Sequence, residues 1–267
     1  MKALLIAKPQ HAHQVRVMKA LAEGMRKCGT EARLTNSGPA LADDDFIVTW
    51  GDKQPTQCNG AAHLILECGY INGTDRDYKA NRLRFISTSW NKRGGLSDWN
   101  WHPEPSAERW NSLGIELMPW KSDGEYVLLL EQCVGDRAAP DVEKFRKLIT
   151  SECARRKWPL VVRPHPISRR NQSTLAEDLA GASLAITWCS TASVEAVIAG
   201  VPTYTLGPGS ITAPVTAHSL SDPPYMGDRT TWAHRLAHRQ WTLDEMRDGS
   251  AWPHIQRGLK GSQEWAA

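Results

Sequence analysis

The sequence predicts an α/β protein made of two doubly wound units in tandem. Two observations lead there. Short apolar runs of four to six residues, such as Val127 to Leu130, recur along the chain. A run without polar alternation is how a central parallel strand reads, because both its faces are buried. Between these runs lie segments with apolar residues at helical spacing. Strands that alternate with helices imply parallel pairing in a layered architecture.

The first unit opens with Ala3 to Ala7, an apolar run between two lysines. Val15, Met18, Leu21, Ala22 and Met25 recur at helical spacing, which predicts an amphipathic helix over 11–28 with Gly29 as its stop. Residues 31–35 read as a second strand and Asp45 to Trp50 as a third, ending at Gly51. His63 to Cys68 is a fourth, ending at Gly69, and Arg84 to Thr88 a fifth. The second unit begins after the Pro119-to-Gly124 stretch. Its strands are Tyr126–Glu131, Leu160–Arg163, Leu184–Trp188 and Thr203–Leu206. Its helices are Pro140–Arg156, Thr174–Gly181 and Ser190–Ala199, the last closed by Gly200. From Thr230 onward the chain reads as helical, and these helices are expected to pack back on the first unit. The predicted domains are therefore 1–120, 121–229 and 230–267, and no sequence repeat relates the two halves. Tandem units of this kind hold ligands at the carboxyl ends of their strands.

Composition narrows the class further. The chain has 267 residues, 41% hydrophobic and 23% charged, which excludes disordered, collagenous and coiled-coil readings. No run approaches the ~20 apolar residues that span a bilayer, and the opening residues are too soon interrupted for a signal peptide. Six cysteines are scattered without a C-x-x-C pair. The expected setting is the reduced cytoplasm, with no membrane partner. The balance of 32 basic and 29 acidic residues, a formal +3, assigns no partner globally. Tryptophan is abundant, at 12 against 5 Tyr and 3 Phe.

The most informative segment is Trp188 to Pro202. A strand ends, Ser190 and Thr191 follow, and a helix begins, so either residue is a natural N-cap. Two readings fit. One is a capped helix with a surface Glu195. The other is an anion site at the helix start, with Glu195 one turn on to accept hydrogen bonds from a ribose. Gln132 to Arg137 follows the first strand of the second half. There Gly135 and Arg137 suit either a phosphate approach or an ordinary strand-to-helix loop. No G-x-G-x-x-G, G-x-x-x-x-G-K-[ST], G-x-S-x-G or H-E-x-x-H occurs, and no metal-ligand spacing is evident.

The pattern S-T-A-x-x-E-A-x-x-x-G-x-P at Ser190–Pro202 resembles the nucleotide-sugar site of GT-B glycosyltransferases. It is similar to capsular polysaccharide transferases and to phage enzymes that glucosylate DNA bases. Arg163-Pro164-His165-Pro166 resembles the R-P-H-P element of the same group. The tail from Gln240 to Trp252 and the stretch around Ser89-Trp90-Asn91 resemble phage-encoded proteins of this type. The resemblance implies a GT-B fold, two Rossmann-like domains facing a cleft, with the donor held by the C-terminal one. It implies that Ser190 and Thr191 hold the diphosphate, Glu195 the ribose and Arg163 the leaving group, with His165 on phosphate or base. Arg163 in a surface ion pair on a proline-shaped loop is the alternative. The donor expected by default is UDP-glucose, as co-substrate, with no metal or other cofactor required.

Inverting transfer needs a base for the acceptor hydroxyl. Glu67, ending an apolar strand, is the first candidate and Asp98 the second, while His11 and His13 follow the first strand nearby. A histidine pair at a helix start also reads as a cap or a solvated surface. Residues 76–102 interleave cations with aromatics and are the nucleic-acid candidate, with Arg82, Arg84, Trp90, Lys92, Arg93 and Trp99 foremost. Cations meet phosphates, and aromatics stack on an extruded base. The same pattern also reads as a basic face over core tryptophans. Arg229, His234, Arg235, His238 and Arg239 form a second basic cluster. The expected partner is double-stranded DNA carrying a hydroxymethylated pyrimidine, with the host cytoplasm as the setting of a phage enzyme. A glycan acceptor, or a non-catalytic nucleotide- or DNA-binding protein, is the alternative.

Overall fold

A computed structural model describes residues 1–36, 45–51, 61–71, 83–92, 105–135, 138–139, 141–168 and 171–264, the last five of these by backbone alone. The chain forms two compact units: Met1–Gly69 with Arg82–Leu113 and Ala233–Ala267, and Tyr70–Asn81 with Gly114–Trp232.

The first unit runs β1 (Lys2–Ile6), α1 (Ala12–Lys27), β2 (Glu31–Thr35), β3 (Phe46–Trp50), β4 (Ala62–Cys68), β5 (Ile86–Trp90) and α2 (Ala107–Ser112). Its six-stranded sheet has the order β10-β5-β4-β3-β1-β2, where β10 is Gln240–Trp241 from the tail. β1 to β4 pair in parallel, as predicted; β1, β3 and β4 carry apolar runs, while β2, at the edge, is largely polar. β5 does not: it lies antiparallel to β4, with Ile65 opposite Ser89, and begins two residues later than predicted. An antiparallel neighbour needs no crossover helix, and a buried strand presents the same apolar pattern in either direction.

The tail completes this unit through α7 (Leu243–Asp248) and α8 (Trp252–Glu264). Trp241 and Trp252 are structural. Trp252 stacks on Phe46 at 5.5 Å, and its indole N–H donates to Thr30 Oγ1 at 2.9 Å. Trp241 is 2% exposed. Arg109 of α2 lies over the Trp241 ring at 3.7 Å and donates to Glu245, to Ala237 O and to Gln240 O. Thr242 and Glu245 form a capping box that starts α7. Each buried large side chain contributes about 1.5–3 kcal/mol, so a tail anchored by Trp241 and Trp252 is firmly held. At Gly24 of α1 a Cβ would sit 1.9 Å from Met246 O, so α1 and α7 meet backbone to backbone.

The second unit runs β6 (Tyr126–Leu130), α3 (Val142–Arg156), β7 (Leu160–Arg163), α4 (Leu175–Gly181), β8 (Ala182–Thr187), α5 (Ala192–Ile198) and β9 (Thr203–Thr205). The sheet is wholly parallel, in the order β7-β6-β8-β9. α3 covers one face, with Phe145, Ile149 and Cys153 on Val127, Leu129 and Ile186. α4 and α5 cover the other, with Leu179 and Ala196 on Leu128, Leu130 and Ala185. The winding therefore reverses between β6 and β8, the position where doubly wound sheets open a crevice at their carboxyl ends. α6 (Thr230–Ala237) leads from this unit into the tail. No described helix is long and apolar enough to cross a membrane.

Candidate functional site

The carboxyl ends of β6 and β8 are stitched together. The Thr187 hydroxyl donates to Leu130 O at 2.7 Å and accepts from the Ser190 N–H at 3.3 Å. Gln132 Oε1 accepts from the Cys189 N–H at 3.2 Å, and its Nε2 donates to the Cys189 sulfur at 3.3 Å. The Trp188 indole donates to Ala138 O at 3.0 Å. Gly135 occupies an exposed turn at φ +82.

These bonds set the start of α5. Thr191 holds the N-cap position, is exposed, and makes no side-chain capping bond. Ser190, 8% exposed, caps instead, its Oγ accepting from the Ala192 N–H at 3.3 Å. Behind it runs a chain of buried hydroxyls. Ser193 Oγ donates to Ser190 O at 2.7 Å and meets Thr212 Oγ1 at 2.8 Å, which meets Ser210 Oγ at 2.8 Å. Glu195 is half-buried one turn into the helix. The glycine of the motif is structural: Gly200 has φ +75, and a Cβ there would lie 2.0 Å from Pro119 O. Lys121 N–H donates to Gly200 O at 2.7 Å, closing that contact.

Arg163, at the end of β7, is committed within the unit. Its Nη1 pairs with Asp178 and donates to Ser173 O, and the two charged side chains are only 11% and 14% exposed. Ser173 Oγ donates to the other Asp178 oxygen at 2.6 Å. The ion-pair alternative is thus what the geometry displays: Asp178 already balances the charge expected to meet a diphosphate. His165 Nδ1 accepts from the Ile167 N–H at 3.2 Å, which puts the neutral ring's proton on Nε2. Glu131, its side chain 4% exposed, is held by Arg146 of α3, and this bond raises the Arg146 pKa.

In the first unit Glu67 is half-buried at the end of β4. A Cβ on Gly51 would lie 3.9 Å from its Oε1, so the carboxylate stands beside the end of β3. His13 meets Trp50 edge to face at 5.1 Å, and His11 lies 5.9 Å from His13. Asp98, Arg137, Arg82, Arg93 and Trp99 lie outside the described residues.

The nucleic-acid expectations need correction where the residues are described. Trp90 offers no ring to a base: it is 5% exposed, packs on Phe46, and donates its indole N–H to Ile255 O at 2.9 Å. Arg84 and Lys92 are exposed, with Arg84 over the Phe85 ring at 5.3 Å. In the second cluster Arg229, His238 and Arg239 are 6%, 2% and 1% exposed, so they do not face phosphates. Arg229 lies over Trp120 at 3.9 Å and donates to Val197 O, satisfying the end of α5. Arg239 lies beyond the end of α6, so it does not share a helix face with Arg235.

Sequence reasoning missed Gln132, Asp178, Thr187, Ser193 and Thr212. Each acts through a partner distant in sequence, so no local pattern marks them. Among the described residues no group of three or more His, Cys, Asp or Glu is arranged to hold a metal ion.

Two Rossmann-like α/β units, the first with a mixed sheet built on four parallel strands and the second with a wholly parallel one, define a GT-B-like fold. The chain is similar to Thermosulfurimonas dismutans KpsC, beta Kdo 2,7 transferase, with TM-score 0.58 and 12% identity over 94% of this chain and 98% of that one. It is also similar to Thermosulfurimonas dismutans KpsC, beta Kdo 2,4 transferase, with TM-score 0.60 and 13% identity over 89% of each chain. At these identities the likeness defines the fold alone. No protein-family model matches the sequence, and no curated protein matches it.

Proposed function

We propose that this protein is a glycosyltransferase that moves a sugar from a nucleotide-activated donor to a hydroxyl of a saccharide acceptor. The observation that carries the reading is the position of the Ser190–Glu195 segment. It starts at the carboxyl end of β8, beside β6, where the winding of the sheet reverses. The fold shared with two Kdo transferases supports the same reading.

In this reading the exposed Thr191 at the start of α5 and His165 Nε2–H hold the donor phosphate, and Glu195 holds the ribose. α5 has only seven residues and its first N–H groups are bonded within the unit, so the reading leans on side chains rather than on a helix dipole. Arg163 shapes the β7 loop through Asp178 rather than neutralising the leaving group directly. Glu67 takes the acceptor hydroxyl proton as its oxygen attacks the anomeric carbon. The bond to the phosphate oxygen breaks, and the nucleotide departs with the electron pair. Asp98 is the rival base. A saccharide is favoured over a modified DNA base because Trp90, Arg229, His238 and Arg239 lie in the unit interiors.

The test incubates the full chain with labelled UDP-, GDP- and CMP-sugars, UDP-glucose included. Oligosaccharides and hydroxymethylated DNA are offered as acceptors. Label is expected in an oligosaccharide, with Glu67→Gln lowering the rate about 100-fold or more. Label in DNA alone overturns the acceptor assignment. No label with any donor, alongside measurable nucleotide binding, leaves a non-catalytic nucleotide-binding protein.

A further inference from the structure

We propose that His11, His13 and Trp50 form a ring-lined platform that binds the acceptor saccharide. The inference rests on the transferase reading and names the part of the first unit that holds the acceptor. Trp50 is the last residue of β3, and His13 lies in the first turn of α1. Trp50 pairs in register with Leu66, which puts its ring on the face of the sheet that α1 covers. Its ring meets His13 at 5.1 Å with planes 78° apart, and His13 meets His11 at 5.9 Å. Trp50 and His13 are half-buried, and His11 is exposed.

Capping does not account for His11. It stands at the N-cap of α1, yet its side chain makes no capping bond. What the three side chains offer together is ring surface with polar nitrogens at its rim. A pyranose has the complementary surface: a patch of C–H groups edged by hydroxyls. The C–H patch meets the electron-rich face of an aromatic ring, and imidazole nitrogens serve hydroxyls as donor or acceptor.

The neighbouring strand ties the platform to the chemistry. Leu66 is opposite Trp50, so Glu67 lies one residue further toward the carboxyl end of β4. Its carboxylate stands beside Gly51, the residue after Trp50. The ring platform and the proposed base therefore lie at the carboxyl ends of adjacent strands, Trp50 on the α1 face and Glu67 on the other.

Saturation-transfer NMR on the full chain tests this, with the methyl glycosides of Kdo, β-glucose and β-galactose as probes. Ring C–H protons of at least one glycoside are expected to receive saturation. His13→Ala and His11→Ala are expected to raise its Kd at least fivefold, and Trp50→Leu to abolish the signal. Trp50 also packs on the core, so circular dichroism checks that variant; if it is unfolded, the two histidine variants decide. No saturation of any probe, or unchanged Kd in both histidine variants, overturns the platform. Nucleotide-sugar turnover in the same wild-type sample separates the two readings. Turnover without glycoside binding overturns the platform alone. Glycoside binding that the variants weaken, with no turnover, upholds the platform and overturns the transferase reading.

Discussion

Gln132, just past β6, accepts a hydrogen bond from the Cys189 N–H at 3.2 Å and donates to the Cys189 sulfur at 3.3 Å. One amide thereby fixes the spacing of two strand ends where the sheet reverses its winding. Gln132→Ala removes both bonds and leaves a backbone N–H unpaired. With about 1 kcal/mol per bond and about 1.4 kcal/mol per tenfold, the KM for the nucleotide-sugar is expected to rise by up to about 25-fold. kcat is expected to move less. Steady-state kinetics check this, and an unchanged KM contradicts it.

Arg163 and Asp178 form a nearly buried pair inside the second unit. Asp178→Ala strands a buried cation and is expected to destabilise by about 3–5 kcal/mol. Replacing both partners, as Arg163→Met with Asp178→Leu, is expected to recover most of that loss. Urea unfolding of the two variants measures the difference. A double variant as unstable as the single one refutes the ion-pair account of the R-P-H-P loop.

Ser193 and Thr212 share a hydroxyl contact of 2.8 Å behind the start of α5. Ser193→Ala leaves the Ser190 carbonyl and the Thr212 hydroxyl short of a partner. A loss of about 1–3 kcal/mol is expected. Thr212→Ser keeps the hydroxyl and is expected to cost less. Melting temperatures of the two variants, compared in one buffer, give the answer.

Stability is expected to fall on the acid side through the first unit. Burial opposes the Glu245 carboxylate, but hydrogen bonds from Arg109 and Thr242 outweigh it and hold its pKa below the ordinary value. Burial, then the charges of Arg257 and Arg109, lower the His254 pKa against an opposing pull from Glu245. At each site the unfolded chain binds its proton at a higher pH than the folded one. The stabilisation is therefore complete above ~6.5 for His254 and above ~4.3 for Glu245. It is lost as pH falls through the lower native values. The urea midpoint is expected to decline from about pH 6.5 downward. His254→Gln is expected to delay that decline until the carboxylate range.

The parallel strands are legible in the sequence because burial on both faces leaves an unbroken apolar run, as in Leu128–Leu130 and Ile47–Val48. Direction is not legible: β5, Ile-Ser-Thr-Ser-Trp, is buried throughout, and its spelling is the same whether it lies parallel or antiparallel to β4. β10 escapes notice because two residues within a helical tail have no period of their own. The order of the candidate site, with Arg163 and Ser190 at successive strand ends, is also readable. Its wiring is not. Asp178 is fifteen residues from Arg163, and only the folded α4 brings it back. Trp90 and Arg239 are misread for a related reason: an aromatic or a cation has one spelling whether it faces solvent or a neighbouring helix.

The central claim is that the strand ends around Ser190 receive a nucleotide-sugar. Photolabelling tests it most directly, using an azido analogue of whichever nucleotide the chain binds and mapping adducts by peptide mass spectrometry. The account predicts labels within 130–135, 163–168 or 188–195, competed away by the parent nucleotide-sugar. Competable labels confined to other segments, or no competable label at all, would contradict it.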